Sequence, residues 1–144
     1  MLNALIYKRP VPVQSVDELP NGIDAVYDRE QNAVFVRRGL SANDLFCGLS
    51  KALAQAELAR TGEEYAEENA GFKAQCVSYI LGKEFGVDVS GYAFEGPADF
   101  LHTDDPQTIR AELTDIRDTA YDISARMMRS LEQSKAPRQS EQER

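Results

Sequence analysis

The chain has one histidine, His102, in 144 residues, and that scarcity removes whole classes of chemistry. A metalloprotease of the His-Glu-x-x-His type needs two imidazoles on one helix face. A single histidine cannot supply them. The two cysteines, Cys47 and Cys76, are too few for a disulfide scaffold or a four-thiolate zinc site. Basic side chains are the minority, 16 against 24 acidic, for a formal net charge of −8. Duplex-binding proteins show a basic stripe, so direct nucleic-acid binding is not expected. No run approaches the ~20 apolar residues of a membrane span. The first ten residues lack a basic segment ahead of an apolar one, so they do not read as a signal peptide. The expected compartment is the cytoplasm, with both thiols reduced.

What is present fits one folded domain. Apolar residues make up 42% of the chain, enough for a core at this length. The expected domain spans residues 1–134. Residues 135–144 are polar, contain Pro137 and are expected to be a disordered tail. The charge is unevenly spread. Residues 1–40 are balanced, with five basic and five acidic side chains; residues 41–105 hold four basic and twelve acidic. Much of that excess lies between Glu57 and Glu68 and reads as a solvated helix start, where carboxylates favour the positive dipole end.

Periodicity places the elements in an α+β chain. Residues 1–20 read as a short strand or helical turn followed by an extended Val-Pro-Val segment. Ala25-Val26-Tyr27 and Ala33-Val34-Phe35-Val36 read as a β-hairpin turning at Asp28–Asn32. A helix is expected from Ser41, which is close to a capping box with Asp44. Leu45, Leu49, Ala52, Leu53 and Ala56 recur along it, and Gly62 ends it. A second helix is expected over 65–85, with Phe72, Cys76, Tyr79 and Ile80 as its apolar stripe and Gly86 as its stop. Val87–Thr103 reads as a loop containing Tyr92, Phe94 and Phe100. A third helix starts after Asp105 with Pro106 at its first position. Ile109, Leu113, Ile116, Ala120, Ile123, Met127 and Leu131 form one apolar face of it, either core or a partner-binding seam. The expected fold is a small N-terminal sheet, hairpin or antiparallel, on three main helices.

Familiar catalytic motifs are missing. There is no phosphate loop, no Gly-x-Gly-x-x-Gly after a strand and no Gly-x-Ser-x-Gly elbow. A cysteine nucleophile would need His102 as its base, whereas both cysteines fall on helices where burial is their usual fate. His102 reads as an exposed loop residue. Carboxylates are plentiful, but none is marked as an opposed pair, and the acidic run lacks calcium-loop spacing.

Several segments nonetheless share a frame with a known family. Tyr27–Val36 resembles the hairpin ahead of the active helix in small zincin-like metallopeptidases. Leu49-Ser50-Lys51-Ala52-Leu53-Ala54-Gln55-Ala56 is similar to the Leu-Ala-His-Glu-Leu-Ala-His-Ala helix of the ImmA/IrrE superfamily, especially its ArdC- and LtrC-like members. Phe72–Tyr79, the Phe85-Gly86-Val87-Asp88 exit and Ser90–Phe94 resemble that family's following segments. The likeness covers roughly residues 10–132. It implies a minimal zincin-like topology, a bacterial cell and a mobile element. Partners in that family include helix-turn-helix repressors.

The same alignment implies a lost metal site. Lys51 and Gln55 occupy the two histidine positions, Ala52 the position of the catalytic glutamate, and Gln75 that of the third ligand. An ammonium cannot ligate while protonated, a methyl is no base, and amide oxygens are poor zinc ligands. No metal or other cofactor is expected. Lys51 and Gln55 lie at i, i+4. Either the Lys51 ammonium fills the former metal space, donating to Gln55 and Gln75 near Tyr79, or these are ordinary polar residues of an unused site. The expected function is that of a catalytically inactive binding module with an unidentified protein partner or a second copy of itself. The alternatives are a domain cut from a larger ArdC/LtrC-like protein, and an enzyme using Lys51 as a lysine of lowered pKa.

Overall fold

The N-terminal third breaks into short elements because prolines and turn formers interrupt it every few residues. The structure, a computed structural model, describes residues 2–61, 67–90 and 105–135. Helix α1, Leu2–Ile6, buries Ala4 and Leu5. The chain leaves it through Lys8 at φ 49°, a conformation uncommon outside glycine. Strand β1, Val13–Val16, follows Pro10 and Pro12, and a 3-10 turn covers Pro20–Gly22. Strands β2, Ala25–Asp28, and β3, Ala33–Arg37, form the expected antiparallel hairpin, with Ala25 opposite Val36 and Asp28 opposite Ala33. Its turn is built by Asp28, whose carboxylate accepts from the N–H groups of Glu30 and Gln31 at 2.9 and 3.2 Å.

The sheet differs from the antiparallel expectation by one strand. β1 lies on the other side of β3 and pairs with it in parallel, Val13 opposite Val34, so the strand order is β1-β3-β2. Pro12 precedes this edge strand, where its missing N–H costs nothing, and its carbonyl accepts from Val34 at 2.9 Å. Parallel pairing across twenty residues leaves no local signature, unlike a hairpin turn.

Helix α2, Ala42–Thr61, is capped by Ser41, whose Oγ accepts from the Asp44 N–H at 3.1 Å. It packs against β2, β3, α1 and two further helices, α3 (Glu67–Glu84) and α4 (Pro106–Lys135). Its burial therefore extends beyond the expected stripe: Ser50, Ala54, Glu57 and Leu58 are buried along with Phe46, Leu49, Ala52, Leu53 and Ala56. Glu57 is only 4% exposed, which removes it from the solvated run expected from Glu57 to Glu68. Glu63, Glu64 and the expected stop Gly62 lie outside the described residues.

α3 presents a different face to the core from the one its large residues mark. Ala74, Val77, Ser78 and Leu81 are fully buried; Phe72, Cys76 and Tyr79 are half-buried and Ile80 is exposed. The reason is steric. Where Ser50 of α2 meets Ser78 of α3 with their hydroxyls 2.5 Å apart, only small side chains fit between the helices. Gly86, at φ 76°, ends α3 as expected, with the Val87 N–H reaching back to the Gly82 carbonyl at 2.8 Å. A Cβ on Gly82 would lie 2.3 Å from Cγ1 of buried Val89. Gly82→Ala is therefore expected to destabilise by about 1–3 kcal/mol through overpacking. Alanine's better helix propensity, worth about 1 kcal/mol, offsets only part of that. Urea denaturation checks this, and adding Val89→Ala should recover most of the loss; a more stable Gly82→Ala protein would contradict it.

α4 begins at Pro106 as expected. Asp105 caps it by accepting from the Gln107 N–H at 3.1 Å and the Thr108 hydroxyl at 2.9 Å. Ile116, Ala120, Ile123 and Met127 lie in the core, which settles the middle of the expected face. Ile109 and Leu131 are half-buried, while Leu113 is 50% exposed. Arg126 donates to the Lys8 carbonyl at 2.9 Å and ties α4 to the exit of α1. The aromatic loop residues Tyr92, Phe94 and Phe100, and the tail 136–144, lie outside the described residues.

Candidate functional site: the seam between α2 and α3

Two short-range contacts define how α2 and α3 face each other. The Oγ atoms of Ser50 and Ser78, both fully buried, are 2.5 Å apart, and each lies 3.2 Å from the Cys47 carbonyl. One hydroxyl donates to that carbonyl and the other donates across the seam, so both helices are satisfied without water. Further along, the Gln55 amide nitrogen lies against Gly71, 3.8 Å from where a Cβ would be. The helices thus run antiparallel, and one turn back along α2 from Gln55 brings Lys51 level with Gln75. Gly71, Gln75 and Tyr79 are spaced by four and share one side of α3.

The structure accordingly brings most of the singled-out positions to one seam. Lys51, Gln55, Gln75 and Tyr79 are half-buried along it, while Ala52, 1% exposed, turns into the core. Among the described residues no hydrogen bond is seen from Lys51 to Gln55 or Gln75. A half-buried lysine needs no such bridge: its methylene stem lies on apolar surface while its head keeps water. The donor set here does not fit zinc. It offers an ammonium, a methyl and two amides where the metal needs imidazole nitrogen and carboxylate. Among the described residues, no group of three His, Cys, Asp or Glu side chains could hold a metal ion. His102 lies outside those residues.

The cysteines have structural surroundings. Both are half-buried and neither is in a disulfide, and burial pushes the Cys76 thiol up in pKa, away from nucleophilic thiolate. Cys47 sits beside a clamp in which the Asn43 amide donates to the Asp88 carbonyl and accepts from its N–H, both at 3.0 Å. Hydrogen bonds from the Ser90 hydroxyl and N–H hold the exposed Asp88 carboxyl below the usual carboxylate range.

Two features escape a reading of the sequence. Lys73, 9% exposed, points from α3 to α4, where its ammonium pairs with Glu112 and lies 3.2 Å from Asp115. No local pattern marks it, because a lysine among helical residues reads as surface. The second is an apolar strip beside the core face of α4. Leu113 and Met128 are each 50% exposed, Tyr121 72% and, from α3, Ile80 41%. They line a groove of about 550 Å³ together with Glu84, Arg117 and Ser124. Of its exposed apolar α4 members, Leu113, Tyr121 and Met128, Leu113 alone belongs to the predicted apolar run. No described helix is long and apolar enough to cross a membrane. Comparison with known protein families, curated proteins and solved structures finds no match to the chain.

Proposed function

We propose that this chain is a zinc-free, metallopeptidase-like domain that acts by binding another protein in a regulatory or scaffolding role. The observation that carries the proposal is the α2/α3 seam. Lys51 and Gln55 of α2 and Gln75 of α3 share that seam, and in the family the sequence resembles these positions carry the metal ligands. The exposed strip along α4 supports the binding half, since contiguous apolar surface of this kind marks protein contacts. A bacterial, mobile-element setting belongs to the same proposal and rests on the family resemblance alone.

The test compares the native chain with the variant Lys51→His/Gln55→His/Gln75→Glu. Ala52 is left unchanged because a carboxylate at that buried position would be desolvated. Elemental analysis is expected to find substoichiometric zinc in the native protein and one zinc per chain in the variant. At free zinc 100-fold above its Kd, the variant should gain about 2.7 kcal/mol of stability that a chelator removes. Stoichiometric zinc in the native chain overturns the zinc-free half. A variant that keeps its helical circular dichroism but takes no zinc overturns the metallopeptidase-like half.

A further inference from the structure

We propose that the exposed strip of α4 is the contact between two copies of this chain, packed antiparallel about a twofold axis beside Ala120 and Tyr121. This names the partner left open by the binding proposal and rests on it. The first argument is spacing. The groove-lining residues along α4 include Leu113, Arg117, Ala120, Tyr121, Ser124 and Met128, and this helical spacing, symmetric as on any helix face, lets the face meet its own antiparallel copy. A twofold interface requires that if one residue meets a second, the second meets the first. An antiparallel pair centred between 120 and 121 sets Leu113 on the partner's Met128. It also sets Arg117 on the partner's Ser124, and Ala120 on the partner's Tyr121.

The second argument is charge. Ser124 donates to the Glu84 carboxylate, with its oxygens at 2.9 and 2.8 Å, so an anion lines the groove beside Ser124. The Arg117 side chain is 75% exposed and among the described residues pairs only with its neighbour Asp118, itself 61% exposed, at 3.2 Å. Setting Arg117 against the partner's Ser124 brings its guanidinium to the partner's Glu84. The twofold axis makes that pair twice. Each copy therefore supplies one cation and one anion to the same apolar contact. A parallel pair would instead oppose Arg117 to the partner's Arg117, and like charges facing each other select against it. The strip from 113 to 128 is about 22 Å long. One helix face of that length falls short of a standard interface, so dissociation in the micromolar range is expected.

Sedimentation of the full chain from sub-micromolar to millimolar concentration tests this. The native chain should pass from monomer to dimer. Tyr121→Glu should remain monomeric, and Arg117→Glu should weaken the dimer at least about tenfold by facing two carboxylates. The exchange Arg117→Glu/Glu84→Arg should restore much of the loss, with circular dichroism confirming that each variant is folded. A native chain that stays monomeric throughout overturns the proposal, whatever else covers the strip. So does a dimer indifferent to Tyr121→Glu. A monomer that binds a different protein through Tyr121 refutes the second copy while leaving the binding proposal intact. A dimer that carries stoichiometric zinc does the reverse for the zinc-free reading.

Discussion

Leu53→Ala is expected to cost about 3–4 kcal/mol, at the upper part of the range for a buried leucine. Leu53 is fully buried near the middle of α2. That helix touches the sheet on one side and α1, α3 and α4 around the rest. The cost of such a truncation depends on whether the neighbours can close the cavity. Here they belong to separate elements, each held by its own contacts, so inward collapse by one opens a gap behind another. A domain of this size has roughly 5–15 kcal/mol in total. The substitution should therefore remove a large share of it and lower the midpoint of urea unfolding at an unchanged slope. Ala54→Gly, at an equally buried neighbouring position, provides a comparison dominated by helix propensity, about 1 kcal/mol. A Leu53→Ala loss no larger than that of Ala54→Gly would mean that α2 is not the centre of the core.

Lys73→Ala is expected to cost about 2–3 kcal/mol. Its side chain is 11% exposed and its first partner, Glu112, 24%. Removing one member of a buried pair typically costs 3–5 kcal/mol, because the other charge is stranded. Asp115 is 55% exposed and partly hydrated, which lowers the figure. Without the ammonium, Glu112 and Asp115 also face each other at i, i+3 as like charges. Lys73→Met keeps most of the stem's packing, so the difference between the two variants isolates the apolar share. The comparison belongs in guanidine-free denaturation at low and high salt. A buried cluster should keep most of its contribution in salt, where an exposed pair would lose it. A cost below about 0.5 kcal/mol would place Lys73 with ordinary surface pairs.

The elements whose starts are chemically marked were legible in the sequence. Asp28 folds the hairpin turn, Ser41 caps α2, Pro106 opens α4 behind its cap Asp105, and Gly86 closes α3; each acts within a few residues of itself. What required the third dimension was anything set by a distant surface. β1 pairs with β3 across the intervening hairpin strand. The buried face of α3 is set by packing against α2 and α4 and not by its own largest side chains. Lys73 is buried only because α4 brings two carboxylates to it. The candidate site divides in the same way. The i, i+4 relation of Lys51 and Gln55 follows from helical geometry alone. Their alignment with Gln75 depends on the interhelical register.

The bond from Arg126 to the Lys8 carbonyl spans 118 residues of chain. Synthesis at about 5–20 residues per second separates the two groups by roughly 6–24 s. During that interval the apolar residues of α1, Ala4 and Leu5, are made and waiting while most of the surface that covers them has not been polymerised. The synthesis of α4 thus determines when α1 can settle. A nascent chain halted before α4 should leave α1 open to proteases, and synthesis through α4 should close it.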